Sequence, residues 1–449
     1  MGERSPTIMR ASFVHTADNH LGYEQYGLKE RYNDFALAFL AVVDDAIARR
    51  ADAFLIAGDL FNKRAIDAQT LLQAQVGLQR LKDAGIPALA IEGNHDRNYY
   101  RDGVSWLQFL CYQRQLILLN PLMADGVPQL TPWDPAQMRG AYYDVKPGLR
   151  VYGIPWYGAN TARVMDAFAR ELLAARDRET AEGVEYRLLM MHTGVEGIVP
   201  QMHGLPTYEQ FAPLRGLVDY VALGHIHKHY VRDGWLYNPG STETWGAEES
   251  AWERGYFAVT IDTDAPDGEP RHAAEHLANP RRPFLRFIFR VDGLTDPTAL
   301  YERFDRKCAE WAAEHPDERE ADPVVDITLS GILGFEYAAV ERTRLEELVN
   351  SYFKTLTVRL RDATRDSSYD LDDVEGDEEG NGEAPDRASL QALELHVFQE
   401  LLARDSRYIA AAPQWAKLLA EIKQMALAGE APTAIAAHLR TTRAMLMEK

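Results

Sequence analysis

The stretch DAFLIAGDLFN, residues 52–62, decides how the first half of the chain is read. Its apolar run, Ala53 to Ala57, is too short for a helix and stops at Gly58, so it reads as a buried strand that ends on an aspartate, Asp59. On its N-terminal side, LKERYNDFALAFLAVVDDAIARR (28–50) sets Leu37, Leu40, Val43 and Ile47 at helical spacing. On its C-terminal side a second helical pattern runs through Leu71, Leu72, Val76, Leu78 and Leu81. ASFVHTA (11–17) and IPALAIEG (86–93) are strands beyond these helices. The resulting βαβαβ order predicts a largely parallel sheet covered by helices. Further strands are LRVYGIP (149–155), YRLLMMH (186–192), YVALGH (220–225) and GYFAVTID (255–262). Residues 120–148 and 193–218 are rich in Gly and Pro and read as long surface loops.

The ends of these strands carry residues that do not belong in a core. The first runs into Asp18-Asn19-His20, the second ends at Asp59, and the third ends Gly93-Asn94-His95-Asp96. Two later strands end at His192 and at His225, with His227 just beyond. If the strands are parallel, all of these side chains emerge at one sheet edge, the edge where α/β proteins bind ligands. An aspartate after a strand is usually a turn former or a helix cap; five converging strand ends are a different matter. Two carboxylates, an amide oxygen and four imidazoles suit two divalent ions bridged by one carboxylate, roughly 3.5–4 Å apart, the arrangement used for in-line attack on phosphate. With no thiolate in the set, Mn²⁺ or Fe²⁺ is favoured over a structural zinc. In ALGHIHKHY (222–230) the third histidine, His229, is expected at the surface, as is His15 inside the first strand.

Composition narrows the setting. The chain has 449 residues and a formal charge of −20, which argues against broad electrostatic attraction to nucleic acid or anionic membrane. Half of that excess lies between Asp366 and Asp386, ten acidic residues with no Lys or Arg, so a local basic groove elsewhere is compatible with the total. No apolar run approaches the ~20 residues of a membrane span, and the N-terminus lacks the apolar core of a signal peptide. Two distant cysteines, Cys111 and Cys308, exclude a disulfide framework and suit a reducing cytoplasm.

A second unit runs from about Arg282. RPFLRFIFRV (282–291) alternates as a strand with Arg286 and Arg290 on one face; helices at 296–314 and 338–350 and strands at 324–331 and 353–360 complete a small α+β domain. The acidic segment 366–386 reads as a disordered linker. Beyond it, Leu390, Leu393, Val397 and Leu401 form one helical stripe, and Trp415, Leu418, Leu419, Ile422 and Met425 another. So short a helical pair has too little core to stand alone, and its stripes call for a partner surface or for their own domain.

The series Asp18-x-His20, Gly58-Asp59, Gly93-Asn94-His95-Asp96, His192 and Gly224-His225-x-His227 resembles the calcineurin-like metallophosphoesterases. HTADNHLGY (15–23), AGDLFN (57–62), IEGNHDR (91–97), ALGHIHK (222–228) and NPGSTE (238–243) resemble, more narrowly, the SbcD-type DNA double-strand-break repair nucleases of that superfamily. The resemblance implies a β-sandwich flanked by helices over residues 1–281, a capping domain over 282–365, the linker, and helices over 387–449 that bind an SbcC-type, SMC-like ATPase. It implies Asp18, His20 and His227 around one metal, Asn94, His192 and His225 around the other, and Asp59 bridging them. The metals would be two Mn²⁺, with Fe²⁺ or another divalent ion as the alternative. His95 would stabilise the transition state or protonate the leaving oxygen, with Asp96 orienting its ring. The implied activity is manganese-dependent DNA exonuclease and endonuclease cleavage at duplex ends and single strands, by a homodimer in the cytoplasm at the nucleoid.

One departure stands out. Many members of the family carry a histidine three residues after the bridging aspartate, where this chain has Asn62, so the balance of exonuclease and endonuclease action is in question. Candidate DNA contacts are Asn62, Lys63, Arg64, Arg97, Arg101, Arg286 and Arg290, and VSWLQFLCY (104–112) is either a dimer face or a core helix. Two rival readings stand beside the nuclease: a phosphoesterase of the same fold acting on nucleotides or phosphoproteins, and a catalytically silent DNA-end scaffold.

Overall fold

A computed structural model of the chain describes residues 8–97, 103–266, 269–366, 411–427 and 430–447, with scattered positions between 395 and 408. The chain divides into two units, Met1–Tyr369 and Asp370–Lys449.

The first unit is built on two six-stranded sheets. The first contains β1 (Arg10–Thr16), β2 (Ala53–Ile56), β3 (Ala88–Ala90), β4 (Ile117–Leu118), β13 (Gly255–Asp262) and β14 (His272–Ala278), in the order β14-β13-β1-β2-β3-β4. Its β1 to β4 are parallel, and β13 and β14 are added antiparallel. The second contains β7 (Tyr142–Lys146), β8 (Leu149–Ile154), β9 (Tyr186–His192), β10 (Tyr220–Gly224), β11 (Tyr230–Arg232) and β12 (Leu236–Asn238), in the order β11-β12-β10-β9-β8-β7. Here β8, β9, β10 and β12 are parallel. A short hairpin, β5 (Leu122–Ala124) with β6 (Val127–Gln129), lies within the 120–148 loop.

The sheets face each other through one apolar layer in which Phe13, Leu55, Leu89 and Ile91 meet Val151, Leu188, Met190 and Ala222. The alternate residues of the first sheet, Val14, Phe54, Ile56 and Ala90, face helices α1 (Lys29–Arg49), α2 (Ala68–Asp83) and α3 (Trp106–Tyr112). The outer face of the second sheet, through Tyr152, Leu189, Met191 and Leu223, is covered by α4 (Thr161–Glu182). Both faces of each central strand are therefore dry, which is why those strands read as continuous apolar runs. Each of the large side chains in these layers contributes about 1.5–3 kcal/mol by leaving water.

The helices start on side-chain caps: Asp67 accepts from Thr70 N at 2.7 Å to open α2, and Ser105 accepts from Gln108 N at 3.1 Å to open α3. Their buried faces differ from the expected stripes. In α1 the core side is Phe35, Phe39, Val42, Val43 and Ala46, while Leu37 is 63% exposed. In α2 Ala74, Leu78 and Leu81 are buried and Leu72 is 58% exposed. Aromatic bulk set the rotation of α1, and a leucine count missed it. Helix α3 buries Leu107, Leu110 and Cys111, so one side of that stretch serves the core, while Val104 and Tyr112 are exposed.

A third sheet, β15 (Phe284–Arg290), β16 (Val324–Leu333) and β17 (Thr357–Asp366), follows in the same unit. All three strands are parallel and are connected through α5 (Pro297–Glu314) and α6 (Arg342–Asn350), so strand and helix alternate in the order expected of the small α+β unit. The physical reason is the crossover: parallel neighbours need a long connection, and the helix supplies it. Its own core, with Phe289, Phe304, Trp311, Ile327 and Leu345, is separate from the sandwich. It meets the sandwich through Phe284, Val324 and Ala247, and through Arg282, which pairs with Asp34 at 2.8 Å.

In the second unit, α7 (Ala412–Leu427) and α8 (Pro432–Met447) lie against each other. Of the expected stripe, Leu418 is buried and Leu419 is exposed; Val397 and Leu401 are also exposed, while Leu390 and Leu393 lie outside the described residues, as does segment 367–386. No described helix is long and apolar enough to cross a membrane.

Candidate metal centre

The carboxyl ends of β1, β2, β3, β9 and β10 lie along one edge shared by the two sheets. Four of the residues there, Asp18 (φ 51°), His20 (φ 48°), Asp59 (φ 52°) and His225 (φ 86°), take left-handed backbone angles that L-residues generally avoid. The turns are locked across strands, with Asp18 N and Asn19 N donating to the carbonyls of Gly58 and Asp59. Gly93 is required by space: a Cβ there would lie 2.0 Å from Asp59 Oδ1.

The side chains converge. Ligand atoms of Asp18, His20 and His227 lie within 4.8 Å of one another, as do those of Asp59, His192 and His225, and Asp59 also groups with His20 and His95. Asn94 Oδ1 sits 3.1 Å from His192 Nε2 and 3.0 Å from His225 Nδ1. His192 Nδ1 donates to the Ala57 carbonyl at 2.8 Å, which turns its Nε2 toward Asp59 Oδ2 at 3.2 Å. His227 Nδ1 is held by Glu249 Oε1 at 2.8 Å, which turns its Nε2 inward. A ring nitrogen fixed in this way leaves the other nitrogen free to ligate.

Burial dominates the ionisation. It pushes Asp18 up to about 6, and with His192 it brings His225 down to about 3. Burial and the neighbouring His227 hold His20 well below the ordinary imidazole range. Burial works against the charged form of His192 too, but Asp59 beside it raises this imidazole to about 9. Burial would likewise raise Asp59, yet His192 pulls it below the usual carboxylate range. The cluster thus balances its buried negative charge with a proton on His192, the place a cation would take.

Two details show that divalent cations fit. His20 Nε2 and His227 Nε2 stand 3.0 Å apart, two ring nitrogens facing each other, and His20 Nδ1 is buried with no hydrogen-bond partner. The donor set is hard oxygen plus imidazole without sulfur, which suits Mn²⁺ or Fe²⁺.

Several expectations need correcting. Asp96 does not orient His95: its carboxylate accepts from Gly93 N at 3.0 Å and Phe61 N at 3.1 Å, holding the two turns together. The His95 ring is set by the Asn62 carbonyl, which accepts from Nδ1 at 2.7 Å. Asn62 is 6% exposed and its amide oxygen accepts from Trp245 Nε1 at 3.0 Å, so it is not an open DNA contact. His15 is fully buried between the sheets, bonded to Tyr220 Oη and the Leu223 carbonyl at 3.0 Å each. His229 is half-buried and stacks on His276 with ring centroids 3.7 Å apart and planes 20° apart, beside Glu253. The lone pairs of nearly parallel rings run side by side, which makes this trio a poor chelate.

Of the basic candidates, Lys63 and Arg64 are exposed beside the Asp59 turn, and Arg97 lies over the rings of Trp156 and Tyr157. Arg101 lies outside the described residues. Arg286 and Arg290 share the exposed face of β15 as expected. Register places Arg359 and Arg361 of β17 on that same face, a contribution written in the alternation of TVRLRDATRD (357–366). Glu249, Arg254 and Trp245 were not foreseen; they come from a turn with no metal-binding spacing.

Residues 11–229 match the family model of the calcineurin-like phosphoesterases. The DNA double-strand break repair protein Mre11 of Aeropyrum pernix is 31% identical over 304 residues, 65% of this chain and 66% of that protein. The Mre11 protein of Methanosarcina mazei is 27% identical over 356 residues, 78% of this chain and 49% of its own length. A stretch of 94 residues, 21% of each chain, is 48% identical to the Mre11 protein of Haloferax volcanii. The chain thus spans between about half and just under two thirds of the lengths of the first two relatives. It carries a calcineurin-like phosphoesterase domain and has homologues of the Mre11/SbcD type.

Proposed function

We propose that this chain is a metal-dependent DNA nuclease that hydrolyses phosphodiester bonds at DNA ends in double-strand-break repair, using two Mn²⁺ ions. The observation that carries the reading is the convergence of Asp18, His20, Asp59, Asn94, His192, His225 and His227 from five strand ends on one edge. In this reading Asp18, His20 and His227 hold one ion, Asn94, His192 and His225 the other, and Asp59 both. When bound, the pair supplies an activated water and charge neutralisation at the scissile phosphate. His95, its Nδ1 committed to the Asn62 carbonyl, presents Nε2 to move a proton to the leaving oxygen. Asp96 keeps the Gly93 and Phe61 turns in register so that Asn94 and Asp59 stay opposed.

The third sheet acts as a cap whose face of Arg286, Arg290 and Arg359 meets the DNA backbone, with Lys63, Arg64 and Arg97 nearer the ions. Exposed Leu72 and Val76 on α2, with Tyr112 at the end of α3, suit a homodimer face. The exposed Leu419 on α7, with Val397 and Leu401, suits docking to an SMC-like ATPase.

The test is cleavage of an end-labelled linear duplex in Mn²⁺ and in Mg²⁺, with Asp59→Asn alongside. Stepwise shortening in Mn²⁺ that the variant lacks is the expected result. If metal-loaded protein leaves DNA intact even with its ATPase present, the substrate is not DNA. Nucleotides and phosphoproteins then become the candidates.

A further inference from the structure

Glu249 belongs to no motif and comes from a turn between β12 and β13, yet it touches a residue of the metal centre. Its Oε1 accepts from His227 Nδ1 at 2.8 Å, and its side chain is only 14% exposed. It is itself held from behind. Arg254, whose side chain is 1% exposed, donates through Nη2 to Glu249 Oε2 at 3.1 Å and to the Glu249 carbonyl at 2.6 Å. The same guanidinium donates through Nη1 to the His227 carbonyl at 3.0 Å and to Ser241 Oγ at 2.6 Å. One buried arginine thus grips both the histidine's backbone and the carboxylate that meets its ring. The next residue back, Glu248, reaches the other way and pairs with Arg361 on the third sheet at 2.6 Å, while Arg361 also pairs with the buried Asp326 at 3.0 Å.

We propose that Glu249 is the positioning residue for His227: its charged carboxylate fixes the Nδ1–H tautomer, strengthens Nε2 as a donor, and does so from a turn clamped by Arg254 and tied to the third sheet through Glu248. The proposal rests on the two-metal reading. A carboxylate behind a ligating imidazole typically changes metal affinity about 10–100-fold. Only the ion beside Asp18 and His20 feels it, because His192 is oriented by a backbone carbonyl and His225 faces Asn94.

The decisive experiment titrates Mn²⁺ into the metal-stripped full chain by calorimetry, with electron paramagnetic resonance on the same samples. Wild type is expected to take up two ions that give the spectrum of a coupled pair. Glu249→Ala should bind one ion with unchanged affinity and the second about 10–100-fold more weakly, leaving an isolated Mn²⁺ signal at one equivalent. Glu249→Gln, which keeps an acceptor for Nδ1 and for Arg254 but not the charge, should recover part of that loss. It decides the matter alone if the alanine variant does not fold. Wild-type isotherms for the folded variants, whatever the fall in metal-free melting temperature, would show that Glu249 serves only Arg254 and would overturn the proposal. A wild type that takes up no second ion would instead defeat the two-metal reading, a result the variants cannot mimic.

Discussion

The strand-end cluster and the arginine face of the third sheet are both polar, and the fold holds them in opposite ways. At the strand ends most polar side-chain atoms meet a partner within 3.2 Å, His20 Nδ1 excepted, and Asp18, His20 and His192 are almost fully buried. On the third sheet, Arg286 and Arg290 stand in solvent on alternate positions of one strand. Burial makes position costly to lose, because an unpaired polar group has no water to turn to. Exposure makes position cheap, because water and salt screen whatever the side chain meets. The first arrangement suits chemistry, which needs fixed distances; the second suits a polyanion whose register on the protein varies.

The comparison can be broken most severely at Gly93. In Gly93→Ala the new methyl would enter the space of the Asp59 carboxylate, so two-ion binding should be lost and DNA cleavage should fall by several orders of magnitude. Calorimetric titration with Mn²⁺ checks this, and an unchanged two-ion isotherm would mean the turn has room that its geometry denies.

A smaller effect separates buried from exposed histidine by pH. Burial lowers His15 to about 3, from an ordinary value near 6.5. A depressed histidine contributes stability that is present above its unfolded value and is lost as pH falls from about 6.5 toward about 3. Urea unfolding of metal-free protein over that range should show this one group removing about 1.4 kcal/mol per pH unit. His15→Gln should flatten the acid limb by that slope. An acid limb of the same steepness in both proteins would contradict the assignment.

The smallest effect belongs to the arginine face. Arg286→Ala and Arg290→Ala should each weaken DNA binding across all sequences and reduce the slope of log affinity against log salt by about 1. A slope that stays at the wild-type value would remove these residues from the DNA path.

Sequence made the centre legible for a physical reason. Asp59, His192 and His225 end apolar runs, and a polar group at the end of a buried strand has few purposes. What lay hidden were relations between distant segments. The run Ala53–Ile56 is apolar on both faces, and whether a helix or a second sheet covers a face leaves no mark in the strand itself. His15 has the same letters around it whether it faces water or Tyr220. Asp96, next to His95 in the chain, points its carboxylate at backbone amides, whereas the ring is met by Asn62 from another strand end. Glu249 could not be found from spacing because it acts across a turn, on a histidine 22 positions away.

The left-handed backbone at Asp18, His20, Asp59 and His225 has a consequence for anyone altering this protein. Each such conformation costs about 1–3 kcal/mol and persists because the surroundings enforce it; Asp and His tolerate it better than most side chains, and glycine or asparagine would occupy it more comfortably. Four of the described non-glycine residues at positive φ thus gather at this one edge. A redesign guided by thermal stability alone would be drawn to those four positions, all of them proposed metal ligands.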